Sequence, residues 1–204
     1  MNRASLVLLF ALPLGCAFTS KGEALTPRYF SPALEAAPRA AEGNGAPPEL
    51  RIGRIEPAAY LEERIAYRVN DSELAYYEDR RWTEPPEQFV RRALESALFE
   101  THTFQRIISG AAPTLDVEVL GFDEVREAKP RARLSLLISL RDERRSLLER
   151  TITLESPLDL AGDNDAGRAL ARAMADALSR ATRDISQQVA AELQRQTTSS
   201  VAAQ

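Results

Sequence analysis

The sequence predicts an α+β fold: an antiparallel or mixed β-sheet with two main helices packed on it, the second a long C-terminal helix. Three observations carry this. Alternating apolar and polar residues recur in short runs between Leu50 and Leu154. Two segments instead space their apolar residues at helical intervals. Strands come in pairs before each helix, without the regular strand–helix alternation of a parallel α/β sheet. A chain of 204 residues, 44% hydrophobic and 27% charged, suffices for one such domain.

Leu50, Ile52 and Ile55 suggest a first strand, closed by Pro57. Ile65, Tyr67 and Val69 alternate with Arg64, Ala66 and Arg68, Asn70-Asp71-Ser72 supplies turn chemistry, and Leu74 and Tyr76 resume the alternation. That pattern is a hairpin. Thr83-Glu84-Pro85-Pro86-Glu87 reads as a helix start with Thr83 as the capping hydroxyl, and Phe89, Ala93, Leu94, Ala97 and Leu98 share one helical face. Leu115, Val117 and Val119 form the next strand, with Gly121 breaking the phase before Phe122 as a bulge does. Leu134 to Leu140 and Leu148 to Leu154 make a second hairpin around a turn at Asp142 to Arg145. Asp163-Asn164-Asp165 then opens a helix of roughly thirty residues, about 45 Å long, striped by Leu170, Met174, Leu178, Ala181, Ile185, Val189 and Leu193. It frays after about Ala191, or its far end packs on another protein.

The net charge of −4, with no basic run clear of matching acids, disfavours nucleic acid as a partner. One cysteine and one histidine leave no internal disulfide and no thiolate or imidazole cluster, so neither a metal site nor a cofactor is expected. His102 reads as an ordinary residue just after a helix. No nucleophile elbow or phosphate loop is present.

Residues 1–15 read as a signal peptide. Arg3 precedes an apolar run, Ala4 to Leu14, of only about 16 Å as a helix, too short for a bilayer core of roughly 30 Å. Leu12-Pro13-Leu14-Gly15-Cys16 resembles the bacterial lipobox, although Pro13 stands where leucine is usual. The resemblance makes Cys16 the lipidation site, and Ala17 in place of Asp points to the periplasmic face of the outer membrane rather than the inner membrane. Residues 16–49, rich in Ala, Pro, Gly and Glu, read as the lipidated N-terminus and linker, with Tyr29-Phe30-Ser31 able to add a strand. The domain is placed at 50–196 and a disordered polar tail at 197–204.

Several segments together resemble the ABC-type transport auxiliary lipoproteins, the PqiC-like family. They are Leu50-Arg51-Ile52 through Pro57, Tyr60-Leu61-Glu62, Ile65 to Arg68, Arg81-Trp82-Thr83-Glu84-Pro85, and Tyr29-Phe30 soon after the cysteine. This chain departs in one extra residue between Pro57 and Tyr60 and in a longer linker before Leu50. The resemblance implies a non-catalytic adaptor in the periplasm. Its partners would be an MCE-domain protein and an ABC permease and ATPase that move lipid or other hydrophobic molecules between the inner and outer membranes. A homo-oligomer is a further expectation.

Within an adaptor, Trp82, Arg81 and Tyr76, with Tyr77 and Arg80 beside them, are the partner-binding candidates, because Trp, Tyr and Arg dominate binding hot spots. For Trp82 the favoured reading is an anchor that pins the hairpin to the first helix, with the partner contact second. The alternatives are a stand-alone lipid carrier with a pocket lined by Phe89, Phe104 and Phe122, and a periplasmic hydrolase built on a carboxylate pair.

Overall fold

The computed structural model describes residues 25–34, 46–162 and 165–202, and the side chains of 199–202 are not among those described. The signal peptide, Cys16, and Asp163-Asn164 lie outside them.

The α+β fold is as the alternation predicts. Among the described residues, eight strands form one mixed sheet: β1 (Arg28–Phe30), β2 (Glu49–Pro57), β3 (Arg64–Asn70), β4 (Glu73–Trp82), β5 (Gln105–Arg106), β6 (Thr114–Val125), β7 (Arg131–Arg141) and β8 (Ser146–Pro157). Two α-helices, α1 (Pro86–Glu95) and α2 (Ala166–Ala202), pack on one face of it. β6 is the spine. One of its edges pairs along its whole length with β7, which continues to β8. The other edge is shared by two strands laid end to end and parallel to it: β2 along Thr114 to Val119 and β3 along Asp123 to Val125. β3 turns back into β4 around an Asx turn, in which Ser72 N donates to Asn70 Oδ1 at 2.9 Å. The two parallel pairings to β6 join segments distant in sequence, and period-two alternation cannot report them.

β1 changes the limits of the domain. Its three residues pair parallel to Arg80, Arg81 and Trp82 of β4, so the sheet begins at Arg28 and not near Leu50. Two contacts lock it from the helix side: the Arg28 guanidinium bonds the Asp165 carboxylate, and the Phe30 ring packs flat on Gly167, where any Cβ would overlap it. Thr83 N donates to Phe30 O at 2.9 Å, so Thr83 extends this pairing instead of capping α1. α1 starts at Pro85 with no side-chain cap, and Pro86 needs none because it has no N–H to satisfy. A π-type turn, Ser96–Glu100, extends α1 and keeps Ala97 and Leu98 on its buried face. His102 follows in the left-handed region at φ 59°, its N–H closing the turn onto Phe99 O.

α2 carries Leu170, Met174, Leu178, Ala181, Ile185, Val189 and Leu193 on its buried stripe, all at 8% exposure or less. Asp165 caps it, accepting from Gly167 N at 2.9 Å. At 37 residues it runs about 55 Å, longer than the sequence suggests, and residues 197–202 continue the helix where a disordered tail was expected. It remains helical well past Ala191. Glu192 and Leu193 are buried, and Arg145 in the β7–β8 turn donates to Gln196 Oε1 at 2.9 Å.

Candidate interaction surface

The sheet has one covered and one open face, and β6 sets which residues belong to each. Leu115, Val117 and Val119 point to the helices. Leu120 is the extra residue of a bulge between Val119 and Gly121, so Phe122 and Glu124 take over the helix face and Asp123 turns to the open one.

On the helix face, Trp82 is 1% exposed and sits edge-on to Phe122 at 5.2 Å and to Phe89 at 6.2 Å, while Phe89 and Phe122 stack at 6.0 Å. Its indole is therefore an anchor between β4, α1 and β6 and not a surface contact; Nε1 has no acceptor among the described residues. Phe89, Phe104 and Phe122 are filled into this same core at 3% exposure or less, so they line no lipid pocket. Tyr77 is also buried, packed on Tyr67 at 4.8 Å and covered by the guanidinium groups of Arg80 at 4.1 Å and Arg126 at 4.6 Å. Its hydroxyl donates to Glu124 at 2.5 Å, and burial followed by that bond pushes the phenol up to about 12.

The open face carries the other two candidates. Tyr29 lies opposite Arg81, which lies opposite Arg64, and directly paired residues project to the same side. The Arg64 guanidinium rests 4.4 Å over the ring of Tyr76, whose hydroxyl donates to Tyr60 O at 2.8 Å. Arg81 and Tyr76 would lie about 16 Å apart and on opposite faces in a regular strand; the bulge of β4 between them puts both on the open face, where Arg64 reaches each. Among the described residues neither Arg64 nor Arg81 has a carboxylate partner; Arg81 donates to the carbonyls of Tyr77 and Arg80 at 3.0 and 2.9 Å. Tyr29, at 62% exposure, is the aromatic that sequence reasoning left out of the site, and only the β1–β4 register places it there.

Beside this surface the open face holds a buried charge cluster. Asp123, fully buried, faces Arg133 Nε at 3.2 Å and Arg68 Nε at 3.4 Å, and the Tyr60 hydroxyl lies 3.0 Å from its Oδ2 and 2.9 Å from Leu120 O. Burial raises the Asp123 carboxyl above its ordinary value, opposed by Arg133, Arg68 and Tyr60. Burial and the neighbouring Asp123 charge likewise raise Tyr60. The geometry gives Tyr60 its reason: β2 ends and β3 begins where β6 bulges, and the phenol fills that gap and satisfies the Leu120 carbonyl. The cluster is sealed by its own ion pairs and presents no open acid–base pair to a substrate. Further along, a depression lined by Arg54, Glu56, Asp116, Glu118, Leu137 and Ser139 has a volume of about 160 Å³, too small and too charged for an acyl chain. Among the described residues no group of three or more His, Cys, Asp or Glu could hold a metal ion, and no helix is long and apolar enough to cross a membrane.

The fold is similar to solved structures. Protein XCC0632 from Xanthomonas campestris superposes with a TM-score of 0.71 at 19% identity, over 84% of this chain and 99% of that one. An uncharacterized protein gives 0.61 at 16% identity, over 80% and 99%. The hypothetical protein CT253 from Chlamydia trachomatis gives 0.50 at 9% identity, over 71% and 96%. At these identities the likeness concerns the fold alone, and no curated protein matches the sequence. The family model for the ABC-type transport auxiliary lipoprotein component matches residues 32–201, which is most of the described fold, and the chain belongs to that family.

Proposed function

We propose that this protein is a lipid-anchored, non-catalytic adaptor of an ABC transport system. It sits on the periplasmic face of the outer membrane and works with an MCE-domain protein and its permease and ATPase in moving lipid or another hydrophobic molecule between membranes. Membership of the transport auxiliary lipoprotein family carries this reading. Two features of the chain support it. Cys16 follows a short apolar leader, as a lipidated cysteine would, and lies outside the described residues. The core is packed solid by Trp82, Phe89, Phe104 and Phe122, which favours a docking module over a lipid carrier with its own cavity.

The test is replacement of the acylated residue. Cys16→Ala is expected to abolish incorporation of labelled palmitate and move the protein from the membrane to the soluble periplasmic fraction. A single acyl chain holds a protein only marginally, whereas two or three hold it stably, so the shift should be near complete. Persistence of lipid-dependent membrane association in that variant would overturn the anchor. Recovery of an MCE-domain protein and a permease with the wild-type lipoprotein supports the adaptor role; recovery of the chain crosslinked only to itself argues for a homo-oligomer instead.

A further inference from the structure

We propose that the open-face surface formed by Tyr29, Arg64, Tyr76 and Arg81 docks on the phospholipid headgroups of the membrane that carries the Cys16 lipid. This rests on the anchor proposed above and says how the domain is oriented by it.

The first argument is reach. Only nine peptide steps separate Cys16 from Leu25, and whatever path they take they span no more than about 32 Å. β1 is clamped to the sheet by its pairing with Arg80 to Trp82, by the Phe30 packing on Gly167 and by the Arg28–Asp165 ion pair. The tether therefore ends on an edge strand that cannot peel away to lengthen it. A linker running to Leu50 would let the domain roam; a tether ending at β1 holds that edge at the membrane. By register the patch lies level with about Gly121 of β6, about 23 Å along the strand from Thr114, so the loop before β6, which carries the exposed Ile108, lies toward the other end of the sheet.

The second argument is the chemistry of the edge. Leu25 and Tyr29, 61% and 62% exposed, are the large apolar side chains next to the tether. Tyrosine is enriched at the headgroup level of membranes because its ring is apolar and its hydroxyl polar. Across the adjoining strands stand Arg81 and Arg64, neither paired with a carboxylate among the described residues, and a guanidinium is suited to grip a phosphodiester through two parallel hydrogen bonds. Glu62, Glu63 and Glu78 are exposed around them. The patch is thus mixed in sign, which matches a headgroup bearing both a phosphate and an ammonium better than it matches a purely anionic surface.

The experiment uses the full lipidated protein in vesicles made mainly of phosphatidylethanolamine with a minority of phosphatidylglycerol. A nitroxide is attached at position 29 (Tyr29→Cys) or at position 108 (Ile108→Cys), the native cysteine being blocked by its lipid. Oxygen partitions into the bilayer and a neutral nickel complex into water, so their relative collision rates report depth. We expect the ratio at position 29 to exceed that at 108 several-fold, and the Arg64→Gln/Arg81→Gln pair to bring it down to the value at 108 while the protein still floats with the vesicles. Equal ratios at 29 and 108 in floating protein overturn the docking and leave the anchor intact. Failure to float overturns the anchor itself. If the arginine pair leaves the ratio unchanged but abolishes recovery of the MCE-domain protein, the surface binds protein and the proposal fails.

Discussion

The two faces of this sheet are built from the same strands and solved by opposite chemistry. On the helix side of β7, Leu134, Leu136, Ile138 and Leu140 are all at 1% exposure or less. Their neighbours Arg133, Ser135 and Arg141 turn the other way into ion pairs and hydroxyl contacts with Asp123, Thr153 and Asp116. A strand alternates strictly, so one face can be buried by helices while the other remains wet. The difference teaches where stability and where function can be sought. The covered face holds the domain together through non-directional burial. The open face is free to carry side chains chosen for what they touch, apart from the one place where β6 bulges and must be repaired by Asp123, Tyr60 and two arginines.

The largest expected effect tests the covered face. Trp82→Ala should destabilise the domain by ~4 kcal/mol, read as a fall in the urea midpoint, because it removes the ring shared by β4, α1 and β6. A loss below about 1 kcal/mol, typical of surface positions, would mean the indole is no anchor. Next comes the buried charge cluster of the open face. Asp123→Ala should cost about 3 kcal/mol, since Arg68 and Arg133 are left half-buried without a partner. If the cost proves no larger than that of an exposed aspartate, the open face needs no internal repair and the contrast between the faces is complete.

A smaller effect appears only in alkali. Tyr77 titrates near 10 in the unfolded chain and at about 12 in the folded one, so its contribution is full below pH 10 and is lost as pH rises through 12. Tyr77→Phe should flatten the fall in stability over that window and leave the profile below pH 9 parallel to wild type. An unchanged alkaline slope would mean the Tyr77–Glu124 bond does not hold the phenol protonated. The smallest effect belongs to the exposed Arg64 and the half-buried Arg81, whose bonds run only to carbonyls of its own strand: Arg64→Gln/Arg81→Gln should move stability by less than about 1 kcal/mol. A larger loss would show that these residues serve the fold and not a ligand.

Much of this architecture was legible in order along the chain. The hairpin turns at Asn70 and Asp142, the bulge beside Gly121 and the α2 stripe from Leu170 to Leu193 are local patterns, each set by turn chemistry or by a period of two or 3.6 residues. The candidate site was legible only in composition. Arg81 and Tyr76 were found because such residues favour interfaces, but nothing in the local sequence distinguishes Trp82, which faces inward, from its neighbour Arg81, which faces outward. Tyr29 was invisible as a site residue, because it joins the surface through a strand pairing fifty residues away in the chain.

The order of residues was thus enough to specify an α+β domain, its hairpins, its helices and the family to which it belongs. Those are properties of short windows and of residue order. Only the folded arrangement shows which strand β1 pairs with, that β2 and β3 share one edge of β6, and that α2 packs across β7 and β8. It also decided which of the arginines and tyrosines are covered and which are offered to a ligand. Each of these depends on contacts between distant segments, whose free energy comes from burial and pairing that no local pattern encodes.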